Sequence, residues 1–278
     1  KLGSEGEATI SGSGKYWDVS ESLVVGLAGK GELEVKSNGD VKSETLEIGL
    51  ESGSEGIVTI TGSGSTLKVT ENVGVGISGL GRLSILSSGL LESKGGKVGE
   101  QIESQGDVEI GSNGVWSISE GLSIGNLGEG KVEISGELEI STMSVGIGMG
   151  SEGEVEVLGS GVMRSSGKVE FGVEGVGRYE YSGSEPSFIE ELSLGVGING
   201  MGNVTINNGL INSNKTSVGI SGVGEINQTG GELSLGSVVL GSESGSGTIL
   251  QTGGNSHYES LVVGESGEGV YRQESGEM

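Results

Sequence analysis

A glycine returns at Gly6, Gly31, Gly56, Gly81, Gly106, Gly130, Gly153, Gly177, Gly202, Gly224, Gly247 and Gly269, at intervals of 22 to 25 residues through a chain of 278. After most of these markers the chain alternates polar and apolar, as in Glu32-Leu33-Glu34-Val35 and Asp107-Val108-Glu109-Ile110. A fixed period of this length denotes structural units that bury their apolar faces only by stacking on one another. The period therefore replaces the one or two globular domains that length alone would suggest.

Each period reads as three short strands. In the coil from Gly56 they are Val58-Ile60, Leu67-Val69 and Val73-Val75; in the coil from Gly106 they are Val108-Ile110, Trp116-Ile118 and Leu122-Ile124. Period-two alternation predicts half-buried strands, and the Gly and Ser clusters between them supply bends. No segment between glycines keeps the i, i+3, i+4, i+7 pattern of a helix. The predicted fold is all-β: a right-handed parallel β-helix (β-solenoid) of about 12 coils of 22–25 residues, with three short strands per coil. At about 4.8 Å per rung it would span roughly 55 Å. We expect one continuous solenoid over residues 1–278, either a length of a longer array or a stacking subunit. Residues 1–152 carry a two-coil repeat of about 50 residues, because the loops before Gly56, Gly106 and Gly153 are longer than those before Gly31, Gly81 and Gly130. Transitional coils follow over 153–223, and Gln-Thr-Gly-Gly coils over 224–278.

Counting from the marker glycine gives columns. Four residues on stand Ile10, Val35, Ile60, Ile85, Ile110, Ile134, Val157, Tyr181 and Ile206, then Gln228, Gln251 and Gln273. A β-branched column suits an inward face, and the glutamines predict an amide ladder in which each side chain bonds to the next rung. With aromatic residues at 3%, the core is thin and aliphatic. Glycine supplies 60 residues without a G-X-Y period, which excludes collagen, and the regular apolar alternation argues against a flexible linker.

The formal charge is −24. Nucleic acid is excluded as a partner, because its phosphates require Lys and Arg, and anionic membrane is disfavoured for the same reason. No run approaches the apolar length of a membrane-spanning helix. Cysteine is absent, which removes disulfides and thiolate metal sites. One residue after the marker, Arg82, Asp107, Lys131, Glu154 and Arg178 alternate in sign, which predicts register control by exposed ion pairs. Two residues further on, Glu109, Glu133, Glu156 and Glu180 form a like-charged column; it reads as a solvated acidic face, with a hard cation such as Ca²⁺ bridging two carboxylates as the alternative.

The stretch Val58-Thr59-Ile60-Thr61-Gly62-Ser63-Gly64, continuing to Gly81-Arg82-Leu83-Ser84-Ile85, resembles the Gly-rich repeats of bacterial autotransporter passengers and related secreted surface β-helix proteins. Trp17 and Trp116 stand where that family often has tryptophan, with Leu67 in the middle copy. The resemblance implies a cell-surface or extracellular place and often adhesion. The acidic face is heavier than the Thr- and Asn-rich faces usual there.

Little points to catalysis. The one histidine, His257, lies between Ser256 and Tyr258, and the loops are too short to wall a cleft. Carboxylate pairs are unavoidable at this composition and do not indicate glycosidase chemistry. Thr59 and Thr61 form a lone Thr-x-Thr, and Asn203, Asn214 and Asn227 head glycosylation sequons at about the frequency chance would give. We therefore expect no enzyme and no cofactor, but a structural or adhesive extracellular β-helix, a stalk, fibre or surface-layer segment whose partners are copies or further coils of itself. The alternative is an adhesin that binds glycans or a surface through its acidic face; a polysaccharide-active enzyme comes last.

Overall fold

A computed structural model describes residues 3–277, and its regular structure is β-strand throughout, with no helix among the described residues. The fold is a parallel β-solenoid of about 11 turns, in two compact units, Lys1–Ile140 and Ser141–Met278.

In the first unit the marker strands Glu5–Ser11, Lys30–Lys36, Glu55–Thr61, Leu80–Leu86, Gln105–Ile110 and Glu129–Ile134 lie parallel and in that order, glycine opposite glycine. Two further strands complete a rung. In the rung of Gly56 these are Thr66–Val69 and Asn72–Val75, each paired with its counterparts above and below. The inward residues of that rung, Val58, Ile60, Leu67, Val69, Val73 and Val75, are at most 2% exposed. Fully burying each such side chain contributes about 1.5–3 kcal/mol. A single rung gains this only when neighbours cover it on both sides, which is why the period must be maintained.

The marker glycine is required by crowding. A Cβ on Gly81 would collide with the amide nitrogen of Gly76 and lie 2.7 Å from the carbonyl oxygen of Ile48. Gly76, with φ of 65°, closes the strand Asn72–Val75 and turns the chain back toward the marker. Only backbone fits at this corner, in either unit: Gly177 stands against Gly172, and Gly224 against Gly219, in the same way.

The two-coil repeat has a packing cause. In the long loops Ser54 Oγ donates to the Glu51 carbonyl at 2.6 Å, and Ser104 Oγ to the Gln101 carbonyl at 2.7 Å. The short loop of the next rung presents Gly79 or Gly128, where a Cβ would lie 2.6 Å from that serine oxygen. Serine on one rung and glycine on the next interlock, so the loops alternate.

The tryptophan positions share one inward column: Trp17, Val41, Leu67, Leu91, Trp116 and Leu138 are register partners in succession. Trp116 is fully buried, and its Nε1–H donates to Ser93 Oγ at 3.0 Å. Room for the indole comes from Gly96, where a Cβ would lie 3.0 Å from the ring.

In the second unit the marker strands are Glu152–Gly159, Val176–Gly183, Met201–Ile206, Val223–Gln228, Ser246–Gln251 and Glu268–Gln273. After Thr142–Val145 the second and third segments of each rung run together, as Val162–Phe171, Ser187–Leu194, Leu210–Val218, Glu232–Leu240 and Asn255–Val263. The expected third segment is present but joined to the second across a bend. In two of these rungs a serine stands at the bend: Ser165 Oγ donates to the carbonyls of Ser141 and Gly167, both at 3.0 Å, and Ser213 Oγ to that of Lys215 at 2.9 Å. In the other rungs the same column holds Ile189, Leu235 and Tyr258.

The inward column of this unit reads Val157, Tyr181, Ile206, Gln228, Gln251 and Gln273 in register. Phe171 stacks on Tyr179 with ring centroids 5.4 Å apart, and Tyr179 meets Tyr181 at 6.1 Å. Aromatic side chains fill here what β-branched residues fill in the first unit.

Candidate functional site

The acidic column falls on the outward face of the marker strands. Glu109 pairs in register with Glu133, and within the second unit Glu156 pairs with Glu180. Adjacent to the first pair runs the alternating column, Arg82 opposite Asp107 and Asp107 opposite Lys131. Arg82 lies 3.6 Å from Glu55 and 3.9 Å from Asp107, spanning its two neighbouring rungs. In the second unit Arg178 stands opposite Glu154 and makes a 3.1 Å ion pair with Glu152.

Together Arg82, Ser84, Asp107, Glu109, Lys131 and Glu133 line an open depression of about 440 Å³. Its two charge signs interleave, so the carboxylates are offset by cations one column away. Among the described residues no group of three or more His, Cys, Asp or Glu side chains converges to hold a metal ion. The arrangement suits a network of exposed ion pairs, each worth a few tenths of a kcal/mol. The same motif recurs on other faces: Lys68 bonds Glu92 at 3.0 Å, Lys94 reaches both Glu71 at 3.2 Å and Glu120 at 3.7 Å, and Lys215 bonds Glu191 at 3.1 Å.

Gln228 and Gln251 do bond to the next rung, but to its backbone carbonyls and to a hydroxyl, not to the next amide. Gln228 Nε2 donates to Asn255 O at 2.8 Å and to Gly231 O at 3.3 Å, while its Oε1 accepts from Ser256 Oγ at 2.6 Å. Gln251 repeats this with Glu277 O and Gly254 O, both at 3.1 Å, and accepts from the Tyr271 hydroxyl at 3.0 Å. Gln273 Nε2 donates to Gly276 O at 3.0 Å. The amides are consumed in bonding turn and strand-end carbonyls, of which Gly231 O and Gly254 O also accept the backbone N–H of Asn255 and Glu277, a structural use. Sequence periodicity located the column but had no signal for the carbonyls it serves.

Burial raises the pKa of Tyr179, Tyr181 and Tyr258 above the ordinary tyrosine value; Tyr258 is pushed up to about 12. All three belong to the second unit. His257 points outward from Asn255–Val263 and is exposed, opposite Ser234. Asn214 is exposed and donates to Glu190 at 2.8 Å, whereas its sequon partner Thr216 is fully buried. Asn203 accepts from Thr205 at 3.2 Å, and Asn227 is half-buried on Val223–Gln228. Thr59 and Thr61 project outward, partly exposed, from Glu55–Thr61.

Comparison with protein-family models, with curated proteins and with solved structures found no match. The β-solenoid architecture is what the sequence and structure establish together.

Proposed function

We propose that this chain is a non-catalytic structural or adhesive β-solenoid of the extracellular space or cell surface, acting as a spacer or fibre segment. The observation that carries the reading is the lateral surface: side chains of one rung bond to those of the next in repeating columns, as in Lys94 with Glu71 and Glu120. Such a surface preserves a fixed spacing and presents a long repetitive face, where an enzyme needs convergent groups in a sheltered cleft. The likeness to autotransporter-passenger repeats supports the extracellular placement.

Assembly with other copies or further coils belongs to the same reading. Among the described residues strand Glu5–Ser11 pairs with Lys30–Lys36 and strand Glu268–Gln273 with Ser246–Gln251, and a parallel strand of a copy or of a further coil would continue the same ladder. Antibody labelling of intact cells tests the placement; antigen reached only after permeabilisation would refute it. Negative-stain microscopy tests the assembly, and particles that never join at any concentration would remove that part.

The open depression around Glu109 and Glu133 favours a second reading, a glycan- or surface-binding face. Glycan-array binding that survives neutralisation of Glu109 and Glu133 would dismiss it.

A further inference from the structure

On a chain of net charge −24, the second unit carries an apolar ridge along the corner where the closing glycine meets the marker. The residue before each marker forms an outward column in register: Glu152, Val176, Met201, Val223, Ser246, Glu268. Its middle is apolar, with Met201 51% and Val223 52% exposed. Beside it, the residues that follow the closing glycines stack as Val173, Val196 and Ile220, joined by backbone bonds from Val196 N to Gly172 O and from Ile220 N to Gly195 O. The loop tips add Met149 at 74% and Ile198 at 79% exposure, and Asn199 ties their rungs together by contacting Met149 Sδ at 3.5 Å and Glu174 at 3.1 Å.

Contiguous exposed apolar surface rimmed by polar groups marks an interaction site. The corresponding column of the first unit reads Glu5, Lys30, Glu55, Leu80, Gln105, Glu129, so there charge separates the apolar residues, such as Leu27 and Ile77, that follow the closing glycines. The rim of the second unit's ridge is acidic: Glu152 and Glu268 cap the column, Glu174 stands between the tips, and Glu225 follows Val223 on the same face. Arg178, two residues after Val176, is already paired with Glu152. Face-to-face pairing of two copies would oppose these carboxylates, and an anionic lipid surface would meet the same repulsion.

We infer that this ridge is a docking surface for a protein segment with an apolar centre and a Lys/Arg rim, a basic amphipathic helix being the simplest form. Apolar contact supplies the affinity and the carboxylate rim the orientation.

The test uses a fluorescent amphipathic peptide of Leu and Lys, titrated by anisotropy against the intact chain. The double substitution I198N/M201Q leaves net charge unchanged and alters only exposed side chains. It is expected to weaken binding at least about tenfold, with an unchanged circular dichroism spectrum. L127N, at an exposed position of the first unit, is expected to leave binding unaltered. E174Q/E225Q tests the rim independently, with an expected loss of about threefold and a shallower salt dependence. A Ser/Lys peptide of equal charge is expected not to distinguish I198N/M201Q from the parent. Equal Leu/Lys binding by parent and I198N/M201Q would overturn the inference. So would a sedimenting dimer, or co-sedimentation with phosphatidylcholine vesicles, that I198N/M201Q abolishes, since the occupant would then be a second copy or lipid.

Discussion

The two units run the same rung on different chemistry. In the first, a core of Val, Ile and Leu with one buried indole stands under a surface of paired charge, as at Lys94. In the second, Tyr181 and the hydrogen-bonded glutamines stand in the column that Ile60, Ile85 and Ile110 fill in the first, and the ridge at the marker corner turns apolar. The marker glycine and the closing glycine it stands against are common to both. A solenoid therefore tolerates exchange of its filling, provided that the corner stays backbone-only and each buried polar group finds a partner.

The two units also carry separate reporters. Both tryptophans, Trp17 and Trp116, lie in the first together with the exposed Tyr16, and the other four tyrosines, Tyr179, Tyr181, Tyr258 and Tyr271, in the second. Denaturant melts followed by tryptophan and by tyrosine emission can thus be compared unit by unit.

The largest effect is expected at the shared corner. Gly81→Ala and Gly224→Ala each place a Cβ against a backbone nitrogen, and each should cost about 4 kcal/mol or prevent folding of its unit. Gly53, with φ of 77° but open space around it, should cost only about 1 kcal/mol on the same change. A Gly224→Ala protein with an unshifted tyrosine melt would end the claim that the corner is common to both units.

Next come the fillings. Trp116→Ala should destabilise the first unit by about 4 kcal/mol, through cavity formation and loss of the bond to Ser93. Gln228→Leu should cost the second unit about 2 kcal/mol, because the Asn255 carbonyl and the Ser256 hydroxyl lose their partner. Tyr179→Phe should go the other way or be neutral, since the buried Tyr179 hydroxyl has Ser187 beside it but no hydrogen bond of good geometry. A destabilising Tyr179→Phe would show that this hydroxyl is satisfied in solution.

Alkaline pH should separate the units. Below about pH 10 the tyrosines are protonated in both folded and unfolded chains, and their contribution is complete. Between about 10 and 12 the unfolded chain releases protons that the buried hydroxyls retain, so stability falls as pH rises. The tyrosine-reported melt should weaken over that window while the tryptophan-reported melt holds. Coincident loss of both would mean the difference in burial has no thermodynamic consequence.

The smallest effect is expected on the surface. Lys94→Ala removes contacts to Glu71 and Glu120, and should lower the first unit's stability slightly at low salt and less at high salt. A cost independent of salt would assign Lys94 a packing role instead.

Much of this is legible in the sequence, because a solenoid repeats its constraints. The marker strands, the inward columns, the Trp17–Leu67–Trp116 alignment and the alternating charges all follow from counting at a fixed period. What counting missed lies where the partner is backbone or where rungs meet at a corner. The carbonyls tied by Gln228 and Gln251 carry no residue-type signal. The apolar ridge was present in the sequence as Val176, Met201 and Val223, but reading the residue before each marker as exposed required knowing which way it faces.

The sequence by itself determined the period, the strand pattern and the side-chain content of each column, since these depend on spacing and hydrophobicity alone. Tertiary structure decided why the marker must be glycine, why long and short loops alternate, and where the second unit's strands fuse. Those outcomes rest on contacts between atoms of neighbouring rungs some 25 residues apart, and only stacking brings those atoms within van der Waals range.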